Sequence, residues 1–294
     1  WAGAHSFAQM AASERRHENR VRIYTITQWF LFFYIYSFIG WIWESAYVSI
    51  LQKRFVNRGF LKGPFLPIYG SGALCVLAAV LPVWEDPVKT FFVGMAAATV
   101  LEYITGAVME RIFRVRYWDY TGKFLNIHGY ICLASALCWG VMSLILTRWV
   151  HFYISELVCA IPQPYASWAV LVITPVFTAD FVTSFTVAFH LREFLDQNGR
   201  IQEELKKLLE KKNFLEDSIQ EAGEKARVQI AQELRELYMK IGEQKERMYR
   251  VYTKSVRGLL RRNPTAYSSR YRETFSELKK NVLENWKKIM EDRF

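Results

Sequence analysis

The chain lacks the residue patterns that would build a metal centre, a disulfide framework or a nucleotide-binding loop. Its four cysteines form no Cys-x-x-Cys pair and show no cysteine–histidine ligand spacing. No Gly-x-x-x-x-Gly-Lys-Ser/Thr sequence is present, so an ATPase working with this chain would be a separate subunit. We therefore predict no metal and no other cofactor. An enzymatic function is less strongly indicated than a binding or transport function.

Apolar runs of membrane-spanning length are missing from the last third of the 294 residues. Residues 1–191 contain 14 basic and 10 acidic side chains, whereas residues 192–294 contain 24 and 18. We predict an all-α chain with a polar or amphipathic segment over 1–23, a transmembrane domain over 24–191 and a helical tail over 192–294. Because acids and bases are intermixed in the tail, it suits membrane lipids or an acidic protein partner better than nucleic acid.

The first part of the chain is predicted to form a polytopic helical bundle with about five membrane spans. A helix needs about 20 mostly apolar residues to cross a bilayer. The segments that meet this requirement are 24–51, 65–84, 88–112, 128–150 and 166–190. Two prolines and three glycines between residues 63 and 72 predict an unwound or re-entrant entry to the second span.

Basic residues indicate how these spans are oriented. The loops after the first and third spans each carry four Lys or Arg, whereas the loops after the second and fourth carry one each. The positive-inside rule therefore predicts a bacterial cytoplasmic (inner) membrane protein with an outside N-terminus and a cytoplasmic tail. Four arginines before the first span disagree with this orientation, so either that segment is translocated or one span is miscounted. They are Arg15, Arg16, Arg20 and Arg22.

Several acidic residues lie inside or beside the predicted spans, where a charge persists only if it is paired, hydrated or used. With the predicted orientation they fall in the cytoplasmic half of the bundle, together with polar loop residues. Gly106 lies four positions after Glu102 and four positions before Glu110, and its small size would let another helix come close. The candidate ligand- or ion-binding residues are Glu44, Asn57, Arg58, Glu102, Glu110, Trp118, Asp119 and Asn126.

A structural interpretation of these acids stays open beside the functional one. Glu44, and either Glu102 or Glu110, would then only form ion pairs that fix helix positions. Their basic partners would come from Arg58, Arg111 or Arg114. A further acid in the fifth span, Asp180, is flanked by threonines, which favours a hydrogen bond between helices.

The tail shows a heptad pattern, which predicts a coiled coil over 196–260. A break at Arg261-Arg262-Asn263-Pro264 precedes a second amphipathic helix over 266–292. The apolar positions are Ile201, Leu205, Leu208, Leu215, Ile219, Ala222, Ala226, Ile230, Leu234, Leu237, Ile241 and Met248, then Tyr271, Phe275, Leu278, Val282, Trp286 and Ile289. Two structures fit this pattern equally: an oligomerising coiled coil, or an antiparallel hairpin packed on itself or under the membrane domain.

Residues about 36–145 resemble the putative ABC-transporter type IV family, the CmpB-like membrane proteins of bacteria. The matching blocks are Gly40-Trp41-Ile42-Trp43-Glu44, Asn57-Arg58-Gly59-Phe60-Leu61-Lys62-Gly63-Pro64, Pro67-Ile68-Tyr69-Gly70, Glu102-Tyr103, Met109-Glu110, Trp118-Asp119-Tyr120, Asn126, Gly129, Ile131-Cys132-Leu133 and Trp139-Gly140. The chain departs from the family pattern at Phe124/Leu125, where a proline is usual, and at Tyr130, where a basic residue is usual. The resemblance implies a transport-related membrane protein, with a tail outside the shared region.

Three functions fit these residues. The first is a permease-like subunit, in which the acids bind a cation or proton and Asn57 and Arg58 close the cytoplasmic mouth. The second is a scaffold or accessory subunit that oligomerises or recruits partners through the tail. The third is an enzyme acting on a lipid phosphate, which ranks last because no nucleophile stands beside a base; its residues would be Arg58, Lys62, Arg114 and Arg116 with His128 or Asp119.

Overall fold

The computed structural model describes residues 24–221, 224–249, 254–276 and 278–280. Within this part of the chain every long regular element is a helix, and no strand is formed. The helices are α1 (Ile26–Gln52), α2 (Pro67–Val80), α3 (Pro87–Phe113), α4 (Leu133–Ile145), α5 (His151–Ala160), α6 (Gln163–Glu221), α7 (Glu224–Tyr249) and α8 (Lys254–Arg262). A 3-10 turn, Leu81–Val83, extends α2, and a π turn, Leu146–Val150, joins α4 to α5.

The chain divides into two compact units. Of the described residues, the first unit contains those up to Arg111 together with Arg116–Phe185, and the second contains Ile112–Val115 together with those from Thr186 onward. The helix α6 contributes to both units, because it continues without a break through the boundary between them.

Four helical segments are long and apolar enough to cross a membrane. They are α1, α3, the continuous segment Leu133–Ala160, and α6 over Gln163–Asp217. The second predicted span is a shorter apolar helix, Pro67–Val83, which is about 25 Å long at 1.5 Å per residue. The all-α membrane fold is confirmed, with four helices of spanning length and one shorter helix, while the orientation and the kind of membrane stay predictions.

The helices α1 and α2 pack closely because each has a glycine on the face that contacts the other helix. A Cβ atom on Gly40 would overlap the side chain of Tyr69, and a Cβ atom on Gly70 would overlap Ser37 and Phe33. Without these Cβ atoms the two backbones approach closely, which is how small residues stabilise helix pairs in membranes. The packed face is apolar and includes Leu31, Phe32, Tyr36, Ala73 and Leu77.

The segment between α1 and α2 does not leave the bundle but runs back along α1. In this first return loop (53–66), Val56 N–H donates to Ser49, Arg58 N–H donates to Ser45, and Leu66 N–H donates to the Ser37 carbonyl. From residue 52 back to residue 37 is about 22 Å along α1. The irregular entry predicted before the second span is therefore present, and it begins α2 near the middle of α1.

A second return loop (116–132) follows α3 in the same manner. Trp118 and Tyr130 lie against Gly106, and Tyr120 reaches Glu102, which is about 16 Å back from the end of α3. The two return loops meet where the Arg58 guanidinium donates to the Tyr117 carbonyl at 3.4 Å. Irregular backbone at membrane depth requires protein or water around it, and α1 and α3 supply such protein contacts to these loops.

The fourth span differs from the prediction of 128–150. The helix begins at Leu133, where Cys132 and Ser135 form a capping box, and it continues to Ala160. Polar residues interrupt the apolar run in the sequence, but they find partners in the fold. His151 is buried within hydrogen-bonding distance of the Tyr24 and Tyr36 hydroxyls, and Arg148 donates to the Trp84 carbonyl.

The second unit contains a helical hairpin. The end of α6 and the helix α7 are joined by a hydrogen bond from Tyr238 to Glu216 (2.7 Å) and by an ion pair between Lys211 and Glu233 (3.8 Å). Two of the predicted apolar positions on α7, at residues 237 and 241, are buried. Such contacts within one chain are those of the hairpin alternative, and oligomerisation stays a prediction.

The region after α8 differs from the predicted second helix. Residues 263–271 are not helical, and the helix expected from 266 begins at 272. Asn263 at the predicted break donates its side-chain amide to the Leu259 carbonyl, and Phe275 is buried. The predicted helix beyond residue 280 lies outside the described residues.

Candidate functional site

The structure pairs Glu44 of α1 with Arg58 of the first return loop. Their nearest charged atoms, Glu44 Oε2 and Arg58 Nε, are 3.7 Å apart, and the side chains are 30% and 12% exposed. The Tyr69 hydroxyl of α2 donates to Glu44 Oε1 at 2.8 Å. Burial lowers the pKa of Arg58 from its usual value, and the charge of Glu44 opposes this effect.

Asn57 fixes the loop that carries Arg58. Its side-chain oxygen accepts from the Trp41 indole at 2.6 Å, and its amide nitrogen donates to the Lys62 carbonyl at 2.7 Å. Asn57 therefore holds the arginine in position, and both of its polar atoms are already used within the protein.

Glu102 of α3 is in a different environment. It is 5% exposed, and its carboxylate accepts from the Trp139 indole at 3.0 Å and from the Tyr120 hydroxyl at 3.3 Å. Among the described residues no basic side chain forms an ion pair with Glu102. A buried carboxylate that meets only neutral donors has a strong tendency to take up a proton or a cation.

The Glu44 and Glu102 sites are neighbours. The rings of Tyr69, which binds Glu44, and Trp139, which binds Glu102, lie with centroids 5.8 Å apart. Tyr120 interacts electrostatically with both carboxylates. Burial raises the pKa of Tyr120, and the charge of Glu102 raises it further, so this phenol stays protonated at neutral pH. The convergence of charges that the sequence predicted therefore includes Glu44, Arg58 and Glu102.

Glu110 forms a separate ion-pair cluster at the end of α3. Arg116 Nε lies 2.5 Å from Glu110 Oε2, and the Tyr130 hydroxyl donates to the same oxygen at 2.5 Å. The Arg116 guanidinium also covers the Tyr130 ring at 4.7 Å. Burial raises the pKa of Tyr130 to about 12, and the hydrogen bond to Glu110 raises it as well. Tyr130, which replaces the basic residue usual in the family pattern, thus supplies a neutral donor to an acid that Arg116 already neutralises.

The remaining candidates hold the second return loop. The Trp118 indole donates to the Tyr130 carbonyl, and the Asn126 amide donates to the carbonyls of Thr121 and Lys123. Asp119 accepts from the backbone and the hydroxyl of Thr121. All three therefore have partners within the loop, and none of them reaches the Glu44 or Glu102 carboxylate.

Asp180 of α6 binds the first return loop. Its carboxylate accepts from the backbone amides of Lys62 (3.1 Å) and Gly63 (2.7 Å), and Ser184 adds a hydroxyl. The sequence favoured a helix–helix hydrogen bond for this residue. The structure instead shows a carboxylate that fixes the irregular segment leading into α2.

Three neutral residues at the centre of the site were not among the sequence candidates. Tyr69, Tyr120 and Trp139 donate to Glu44 or Glu102 from 18 to 37 positions away in the chain. All three stand in the blocks that carry the family resemblance, and that was the one available signal. No group of three or more His, Cys, Asp or Glu residues that could hold a metal occurs among the described residues.

Residues 31–185 match the family described as putative ABC-transporter type IV. The match covers more than half of the chain and ends at Phe185, the last residue of the first compact unit. It thus includes all eight candidate residues and extends well beyond the region of resemblance at 36–145. No curated protein and no solved structure is significantly similar to the chain.

Proposed function

Because the chain belongs to the putative ABC-transporter type IV family, we propose that it is a permease-like membrane subunit that binds a small polar or ionic solute between its helices. The solute would bind where the two return loops meet α1, α3 and α4. The membrane-spanning helices and the family together make the protein transport-related; the permease role is the finer step that we propose.

The proposal rests on two carboxylates that occupy neighbouring sites in an apolar helical bundle. Glu44 and Glu102 lie on two helices of spanning length, and Tyr69, Trp139 and Tyr120 connect their surroundings. Polar and charged side chains at membrane depth are costly unless they serve a pathway or a fixed contact. Transporters commonly bind solutes where helices are interrupted and irregular backbone enters the bundle, which is the arrangement of the first return loop and α2.

Arg58 is the residue that we expect to respond to a solute. It joins the first return loop to Glu44 and, through the Tyr117 carbonyl, to the second return loop. An anionic group entering the site would compete with Glu44 for the guanidinium, and a cationic group would compete with Arg58 for the carboxylate. Either event would separate the two loops, and with the predicted orientation this opening would face the cytoplasm.

Energy would come from a separate cytoplasmic ATPase subunit, as the family description suggests. We propose the tail as its docking region, in the inner membrane of a bacterium. The charge composition of residues 192–294, with 24 basic and 18 acidic side chains, suits both an acidic protein surface and the anionic lipid leaflet.

The proposal is tested by equilibrating the detergent-purified chain with a small-molecule cell extract and identifying the released solutes by mass spectrometry. We expect a polar solute enriched by the wild type and lost from Glu102→Ala and Arg58→Gln. Glu156→Gln is the matched control, because Glu156 is exposed on α5 and lies outside the site. Identical solute profiles for all four proteins would contradict a binding site here.

A scaffold or accessory function is the alternative, and one observation favours it. The acids Glu44 and Glu110 are both paired with arginines, as expected if they only fix helix positions. Deleting residues 192–294 would then abolish function in cells, whereas Glu44→Gln and Glu102→Gln would leave it intact. The permease proposal requires the opposite result for Glu102.

A further inference from the structure

Glu44, Glu102, Glu110 and Asp180, which lie in helices of spanning length, differ in what neutralises them. Glu44 and Glu110 are paired with Arg58 and Arg116. Asp180 accepts from two backbone amides. Each of these environments stabilises a negative charge, by a cation or by dipoles that point at the carboxylate.

Glu102 has no cationic partner among the described residues, and its donors are neutral side chains. They are the Trp139 indole and the Tyr120 hydroxyl, and 5% of the residue is exposed. Among the described residues no arginine or lysine pairs with it. An isolated charge in such a place is far more expensive than a neutral carboxyl group, because no counter-ion among the described residues offsets its desolvation.

We propose that Glu102 is a proton-binding site, and that uptake and release of a proton on its carboxyl group accompanies solute transport. This inference deepens the proposed function and rests on it. It assigns the titrating role to Glu102, and it leaves Glu44 and Glu110 as members of ion pairs.

The hydrogen-bond geometry shows where the proton would reside. The Trp139 indole can only donate, so Glu102 Oε2 must stay an acceptor in both protonation states. The Tyr120 hydroxyl can rotate, so it can donate to an ionised Oε1 or accept from a protonated one. The proton would therefore bind Oε1, and Tyr120 in the second return loop would be its route of access.

The groups around Glu102 favour a proton over a metal cation. Hard metal cations of the size of Na⁺ or larger need several oxygen ligands. Here the Trp139 N–H occupies one carboxylate oxygen, and the carboxylate of Glu44 is already bound to Arg58 and Tyr69. The titratable groups around Glu102 include Tyr120 from the second return loop and, beyond Tyr69 of α2, Glu44 of α1. The thiols of Cys132 and Cys138 interact with Tyr120 and Tyr69, and α4 contributes the neutral Trp139 indole.

Reaction with dicyclohexylcarbodiimide tests the proposal without knowledge of the solute. This apolar reagent enters membranes and reacts with protonated carboxyl groups but not with ionised ones. We expect peptide mapping of the full chain in nanodiscs to find the adduct on Glu102 and not on Glu44, Glu110 or Asp180. Labelling should fall as pH rises, because each pH unit above the transition lowers the protonated fraction about tenfold. Glu102→Gln should lose the adduct.

An infrared measurement covers the case in which the reagent cannot reach the buried carboxyl group. The carboxylic C=O band of the wild type should disappear with rising pH and should be absent from Glu102→Gln but present in Glu44→Gln. Absence of both adduct and band would overturn the proposal, as would equal labelling of Glu44. Protection by NaCl, relative to choline chloride at the same pH, would also overturn it and assign a cation site. A positive result without solute binding would refute the transport function and leave the proton site standing.

Discussion

Neutralising Glu44 should destabilise the protein, whereas neutralising Glu102 should change its stability little, although the substitution is the same. Glu44→Gln removes the counter-ion of Arg58, whose side chain is 12% exposed, and leaves a mostly buried positive charge. Glu102→Gln removes a charge that has no basic partner among the described residues, and the new amide oxygen can still accept from the Trp139 indole.

The magnitude follows from the geometry of the pair. Two unit charges 3.7 Å apart attract each other by about 4 kcal/mol at an effective dielectric constant of about 20. Glu44 is 30% exposed and keeps its hydrogen bond from Tyr69, so solvent screening reduces the expected loss to about 2 kcal/mol. For Glu102→Gln we expect a change within about 1 kcal/mol, of either sign, because an uncompensated buried charge contributes nothing favourable.

Equilibrium unfolding of the purified protein in mixed micelles, followed by far-UV circular dichroism at neutral pH, measures both changes. The control is the double variant Glu44→Gln/Arg58→Gln, which should be more stable than Glu44→Gln alone, because it removes the buried cation whose carboxylate partner is lost. A Glu102→Gln protein that is less stable than Glu44→Gln would refute the reasoning, since it would mean that Glu102 has a strong charged partner.

Three further predictions concern a return loop, the packing of α1 on α2 and the cap of α3. Asp180→Asn leaves one of two backbone amides of the first return loop without its acceptor, so we expect a loss of about 1–3 kcal/mol and faster hydrogen exchange there. Gly40→Ala puts a Cβ atom into Tyr69 and should destabilise by about 1–3 kcal/mol, whereas Gly242→Ala, with open space around it, should not destabilise; thermal unfolding compares the two. Backbone amides at the start of α3 lower the pKa of Asp86, and the Lys89 amide has the largest effect. The ionised Asp86 carboxylate therefore stabilises the fold fully above the unfolded-state pKa. This stabilisation is lost as pH falls through the lower folded-state pKa. Asp86→Asn should weaken that pH dependence in acid unfolding, and an unchanged acid transition would contradict the capping role.

The membrane-spanning character of the first unit could be predicted because it depends on local composition. A run of about 20 apolar residues must be buried in lipid or protein whatever the rest of the chain does. The end of a span is harder to predict, because polar residues can continue a helix when distant groups bind them. His151 lies beyond the predicted end of the fourth span, yet it is buried in a continuing helix because Tyr24 and Tyr36 of another segment contact its ring.

The sequence limited the possible basic partners of Glu44 to a few residues, but it did not show which ion pairs form. Arg58 was among the basic residues considered for Glu44, and the structure selects it. Arg116, which neutralises Glu110, was not considered as its partner, because a separation of six residues across a helix end has no fixed geometry. Where an ion pair depends on how a loop returns to its helix, sequence spacing contains no information about the distance.

Residue patterns were enough to predict that the chain is helical, that its first part enters a membrane, and that acids lie at membrane depth. Those properties follow from hydrophobic length and from the cost of burying charge, which act residue by residue. Which of the acids have a basic partner depends instead on how the backbone folds. The first return loop brings Arg58 to Glu44, and the second brings Arg116 to Glu110 and neutral Tyr120 to Glu102. The physical reason is that charge compensation falls off within a few ångströms, and distances of that size between remote residues are set by the path of the folded backbone.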